Sequence, residues 1–160
     1  MYAYSLYQSS PHSYLDQTNS IDAMASMQEF LNRYPNSKFK DQAIETIFTV
    51  QEKLEIKGFE NANQYYRMRQ YKAAIVALDN FISNFPDSRY VEEASYLVIV
   101  SHYKLAGQSI RSKQVERYSS AVENYKVFLD KFPQSGFLRD AEKLYSDSLS
   151  KLNKLKNNNI

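Results

Sequence analysis

The chain has no cysteine and no tryptophan, and only two histidines, three glycines and four prolines in 160 residues. Without cysteine there are no disulfides and no thiolate metal sites, and either a reducing or an oxidising compartment is compatible with the sequence. So few glycines and prolines argue for long helices and against a sandwich or barrel, whose many turns consume both. The formal net charge of +2 is too small for the basic face that nucleic acid demands, so no nucleic-acid partner is expected. No stretch approaches the roughly 18 consecutive apolar residues of a membrane span. The longest apolar run, Tyr96 to Val100, is far shorter. The opening residues, Met1-Tyr-Ala-Tyr-Ser-Leu-Tyr7, lack the basic stretch and apolar core of a signal peptide. They read as the end of a helix whose beginning lies upstream.

Aromatics are abundant instead, with 14 Tyr and 9 Phe, and many of them recur at fixed offsets. Three segments align without a gap: Ala23 to Phe39, Ala74 to Tyr90 and Ala121 to Phe137. Around Pro35, Pro86 and Pro133 each has Ala twelve residues before, Phe five before, an aromatic one before, Ser two after and an aromatic four after. A further Ala follows eight after each Pro, at Ala43, Ala94 and Ala141. In the second segment Ala74, Ile75, Leu78, Phe81, Ile82 and Phe85 form one apolar stripe at helical spacing. Pro86 ends that helix, because it lacks an N–H and clashes with the preceding turn. Ser88 reads as the N-cap of the next helix, and Glu92 and Glu93 as a solvated start near its positive end.

The pattern matches the tetratricopeptide unit of about 34 residues, with Tyr71 and Leu78 in apolar slots of the second helix and Ala62 and Tyr65 in the small and aromatic slots of the first. The spacing between prolines is longer, however: 51 positions from Pro35 to Pro86 and 47 from Pro86 to Pro133. The excess predicts long helices, over Ser37 to Arg67 with Gly58 as a place for a bend, and over Ser88 to about Gly107. A polar insertion, Gln108 to Val115, follows, and Ser9 to Gln17 reads as a turn or loop before a helix capped near Thr18 or Ser20. The expected fold is an all-α, tetratricopeptide-like helical-repeat superhelix with elongated helices. It forms a single domain over residues 1–160, with repeat blocks at 1–39, 40–90 and 91–150 and a polar C-terminal tail at 151–160.

These residues resemble a known family, the outer-membrane protein assembly factor BamD. The resemblance is carried by the three Phe/Tyr-Pro-x-Ser-x-Phe/Tyr blocks and by the linker Asn61-Ala-Asn-Gln-Tyr-Tyr-Arg-Met-Arg-Gln-Tyr-Lys-Ala-Ala-Ile75. The stretches Ser10 to Thr18 and Gly107 to Tyr118 are similar to members from the Bacteroidetes group. The resemblance covers nearly all of the chain. It implies a periplasmic lipoprotein at the inner face of the outer membrane, truncated here at its N-terminus, with the lipidated Cys and earlier repeats upstream. The implied partners are a BamA-like barrel subunit, other proteins of the assembly machinery and unfolded outer-membrane protein substrates. The membrane is reached only through the lipid anchor. The third block departs from the proteobacterial layout, so no residue of the family's partner surface is carried over.

The residues offer little to catalysis. His12 and His102 are ninety residues apart, without a carboxylate at metal-ligand spacing, and His102 reads as a packing histidine. Glu92 and Glu93 are adjacent on a helix and point in different directions, and three isolated glycines form no phosphate loop. No catalytic residue, metal ligand or cofactor is therefore expected. For binding, the tetratricopeptide register turns Phe59, Asn63, Tyr66 and Arg67 towards the concave groove. Tyr and Arg are enriched at binding hot spots, and Arg67 with Arg69 is placed to grip a carboxylate. The competing reading buries Tyr65 and Tyr66 between helices. Arg111, Lys113 and Arg117 form a small basic cluster that reads as a solvated face.

The expected function is a non-catalytic scaffold of outer-membrane barrel assembly, binding the barrel subunit's periplasmic domains. The alternative is a generic periplasmic repeat adaptor of another envelope complex. An enzyme on a helical-repeat scaffold, such as a lytic transglycosylase, needs a positioned catalytic Glu that the sequence does not offer. Loss of packing against upstream repeats predicts an apolar, self-associating surface near Tyr2, Leu6 and Tyr7.

Overall fold

The computed structural model describes residues 2–9 and 17–157. Among them are seven helices: α1 (Tyr2–Gln8), α2 (Thr18–Arg33), α3 (Lys40–Arg67), α4 (Tyr71–Asn84), α5 (Val91–Gly107), α6 (Arg111–Lys131) and α7 (Leu138–Asn157). The fold is all-α and tetratricopeptide-like. The two elements expected to be long are α3, which runs unbroken through Gly58, and α5. Contacts divide the chain into two compact units, residues 1–58 and 59–160. His12 and most of the expected Ser9 to Gln17 turn lie outside the described residues.

The repeated alanines do the same work in every block. All six alanines of the pattern, at 23, 43, 74, 94, 121 and 141, are buried, and their small side chains let neighbouring helices approach closely. In the second unit Ala74, Leu78 and Phe81 of α4 pack with Phe59, Ala62, Val91, Ala94, Leu97 and Val98, and Ile82 and Phe85 close the edge of this cluster. One block later, Phe128 of α6 packs with Ile99 and Ala141. Phe81 and Phe128 are 3% and 1% exposed, so truncating either to alanine costs about 3–5 kcal/mol.

The turn after each of α2, α4 and α6 is built identically, which is why the sequence repeats there. The aromatic before proline leaves the helix with nearly the same dihedrals each time: φ −132°, ψ 65° at Tyr34; φ −131°, ψ 62° at Phe85; φ −129°, ψ 61° at Phe132. Its N–H still donates to the Phe carbonyl four residues back, at 2.8–2.9 Å. Proline needs no acceptor there. The serine N–H then donates to the aromatic's carbonyl at 3.1 Å in all three turns. The serine hydroxyl accepts from the N–H two residues on, at 3.3 Å for Phe39, 3.3 Å for Tyr90 and 3.1 Å for Phe137.

This corrects the reading of Ser88 as an N-cap. The helix starts later, at Val91 with Tyr90 in the cap position, and Ser88 organises the turn before it. In the second and third turns the closing aromatic then packs on a preceding helix, whereas Phe39 of the first is 52% exposed. Tyr90 stacks on Phe59 at 4.9 Å with planes 13° apart, and Phe137 on Tyr96 at 4.8 Å and 12°.

Two further boundaries differ from expectation. The polar insertion is only a three-residue connection, Gln108 to Ile110, because Arg111 to Val115 already belong to α6. The helix reaches back to fix it: Gln114 donates to the Ser109 carbonyl at 3.1 Å, and the Arg117 guanidinium donates to the Ser109 hydroxyl. At the other end α7 continues to Asn157 with Leu152 buried, so residues 151–157 of the expected tail are helical. Residues 158–160 lie outside the described part.

In the first unit α1 packs on α2. The α2 start is secured inside, where Ser20 donates to the Gln17 side-chain carbonyl at 2.6 Å. An apolar cavity of about 300 Å³ lies among Tyr4, Met27, Phe30, Phe39 and Ala43. Tyr2 is 73% exposed, while Leu6 and Tyr7 are half-buried, and Lys53 lies over the Tyr7 ring.

Candidate functional site

Among the described residues no group of His, Asp or Glu is arranged to hold a metal ion, and no helix is long and apolar enough to cross a membrane. His102 is half-buried on α5; burial and the nearby Arg117 push its pKa below the ordinary value, and its Nδ1 is buried without a hydrogen-bond partner among the described residues. Glu93 is half-buried, and Glu92 differs from the solvated helix start expected of it. Glu92 Oε1 accepts from the Ser135 hydroxyl at 2.5 Å, tying the start of α5 to the turn after α6. Of the basic cluster, Arg111 and Lys113 are exposed, Lys113 lies 3.8 Å from Glu116, and Arg117 is engaged with Ser109.

The five candidate binding residues separate into inside and outside. Phe59 is 4% exposed, with Phe81 and Tyr90 against its ring. Asn63 is 9% exposed, and Tyr66 packs against the same core and meets Tyr71 edge to face at 6.0 Å. Burial and Tyr71 raise the Tyr66 pKa. Phe59 and Asn63 are thus interior residues rather than groove-facing ones. Phe59, Ala62, Asn63 and Tyr66 lie on one helical stripe, and that stripe faces the core. Tyr65 falls at the stripe's edge and is 39% exposed, so the expected aromatic slot is filled by Tyr66 instead.

Arg67 and Arg69 also part company. Arg67, on the last turn of α3, donates to Glu60 at 3.2 Å across an exposed surface, a pair of little energetic weight. Arg69 has φ 60°, the one described non-glycine residue in the left-handed region. Its N–H donates to the Tyr66 carbonyl, and the Gln70 N–H to the Tyr65 carbonyl, both at 2.9 Å. This pair of bonds is a Schellman cap, in which glycine is the usual left-handed residue. An L side chain in that conformation costs about 1–2 kcal/mol.

Arg69 stands on the wall of an open groove of about 730 Å³. Tyr65, Tyr71, Val76 and Leu105 supply its apolar and aromatic surface, and Arg69 and Lys72 are its charged residues; no carboxylate lines it among the described residues. Neither cation has an ion-pair partner among them. Val76 is 57% exposed, although its neighbours Ala74 and Leu78 are fully buried. Of the sequence candidates, therefore, only Arg69 lies in this groove. Lys72 and Val76 escaped notice, and Tyr65 was expected in a packing slot, because their exposure depends on which way α3 and α4 are turned against the core.

Comparison with known proteins gives the family. The chain matches the YfiO family, described as outer membrane lipoprotein, over residues 1–76 and again over 58–155. It is 25% identical over 126 residues to the outer membrane protein assembly factor BamD of Neisseria meningitidis serogroup A, covering 79% of this chain. The BamD of Neisseria gonorrhoeae is 26% identical over 126 residues and 79% of the chain, and that of Xylella fastidiosa strain 9a5c is 21% identical over 140 residues and 82%. In each case the chain spans 43% of the relative's length. With a family match that runs through nearly every helix and relatives sharing one name, the chain belongs to the YfiO outer membrane lipoprotein family and is a BamD-like protein.

Proposed function

We propose that this chain is a non-catalytic scaffold in the assembly of outer-membrane β-barrel proteins, working at the periplasmic face of the outer membrane. The observation that carries this reading is the pair of family matches over residues 1–155, joined to relatives named as assembly factors. The fold supports it. Stacked helix pairs joined by rigid turns present extended surfaces to other proteins, and α4 to α7 form such a stack. Its partners are a BamA-like barrel subunit, bound through that subunit's periplasmic domains, other proteins of the machinery, and unfolded barrel substrates. A lipid anchor on the full-length protein holds it at the membrane.

The alternative, a repeat adaptor serving another envelope complex, uses the same fold, and a depletion experiment separates the two. Depleting the full-length protein lowers the amount of folded β-barrel protein in the outer membrane, and a plasmid copy restores it. Unchanged barrel levels under full depletion contradict the assembly role.

A further inference from the structure

The groove beside Arg69 has the composition of a binding surface and not of a packing defect. We propose that it takes an acidic peptide segment of a partner protein, with an apolar side chain seated against Tyr65, Tyr71, Val76 and Leu105 and its carboxylates on Arg69 and Lys72. The proposal rests on the reading of this chain as a protein-holding scaffold.

Three observations lead to it. The charge of the lining is of one sign: two exposed cations, neither paired among the described residues, and no carboxylate. A carboxylate brought there gains charge-assisted hydrogen bonds without displacing an existing partner. Second, the helix end that builds the wall carries arginine in the left-handed position where glycine sits without strain. The cap itself does not need the guanidinium, since its hydrogen bonds come from the backbone. What the arginine adds is a planar cation at the rim of the groove. Third, the lining is itself largely exposed: Tyr65, Arg69, Gln70, Lys72, Val76 and Gln108 all face solvent. A small-molecule site encloses most of its ligand, whereas an open trough with amide side chains at its edge suits one side of a polypeptide. Tyr and Arg are also the residues that dominate such interfaces.

The test uses fluorescence anisotropy with a labelled peptide in which glutamates flank a central phenylalanine, and a counterpart with glutamine in place of each glutamate. The acidic peptide binds saturably and weakens with salt, and the glutamine counterpart binds at least about tenfold more weakly, as loss of a charge-assisted hydrogen bond implies. Arg69→Gly removes the cation and the strained conformation together. It lowers affinity for the acidic peptide by about tenfold or more while leaving the melting temperature unchanged or higher. A purely structural arginine gives the reverse pattern, with lower melting temperature and unchanged binding. Lys72→Glu, at an exposed position, weakens binding as well. Equal affinity for the two peptides, or undiminished binding by both variants, overturns the proposal. If the acidic peptide does not bind while the barrel subunit's periplasmic domains do, the groove assignment falls and the assembly role stands.

Discussion

Three consecutive residues of α5 show how differently single polar groups are treated inside this protein. The Ser101 hydroxyl and His102 Nδ1 are both buried without a hydrogen-bond partner among the described residues, whereas the Tyr103 hydroxyl donates to Asp147 on α7. An unsatisfied buried hydroxyl costs about 1–3 kcal/mol, and alanine fills almost the same space with better helix propensity. Ser101→Ala should therefore stabilise the fold by about 1 kcal/mol, read as a higher midpoint in urea at unchanged slope; a lower midpoint would mean that the hydroxyl is satisfied. At Tyr103, burial first, then the Asp147 hydrogen bond and charge, push the pKa from 10.0 up to about 12. A raised folded-state pKa gives stability that is complete below the unfolded value and lost as pH rises towards the folded one. The melting temperature should thus fall between pH 10 and about 12, and more gently in Tyr103→Phe. Identical slopes in both proteins would remove Tyr103 from the account.

The repeated turn joins α2 to α3, α4 to α5 and α6 to α7, and it is the most legible feature of the sequence. Ala, Phe, aromatic-Pro and Ser at fixed offsets locate α2 to α6 because each residue acts by a different physical means. Alanine permits close approach, phenylalanine fills the core, the aromatic-Pro pair ends the helix and serine closes the turn. What the pattern could not supply was rotation about an axis. Tyr65 and Tyr66 are adjacent and chemically identical, so sequence alone could not say that Tyr66 faces the core and Tyr65 the solvent. Phe59 was misplaced for the same reason, since its partner Tyr90 lies 31 residues away. The left-handed conformation of Arg69 was also hidden, because glycine is the residue that normally announces it. The Ser135–Glu92 hydrogen bond joins residues 43 positions apart, and only packing reveals it. It gives Ser135 a second role, as a clasp between its turn and the start of α5. In a double-mutant cycle, Ser135→Ala and Glu92→Gln should each destabilise by about 1 kcal/mol and be coupled by at least about 0.5 kcal/mol; strict additivity would show that the clasp contributes nothing.

At the scale of the molecule, the repeat fold and the family match are the two observations on which the proposed scaffold role rests. Its cores are filled by the repeated alanines and phenylalanines, and the open groove with charges of a single sign lies where α3, α4 and α5 end or begin. The proposed assembly role requires that this chain bind its partner directly. The measurement that tests it is a calorimetric titration of the folded chain against the purified periplasmic domains of the cognate barrel subunit, at low and at physiological salt. Saturable binding of one partner per chain, weakened but not abolished by salt, is the predicted result. A fully helical chain that gives no heat and no saturation under either condition would contradict the account.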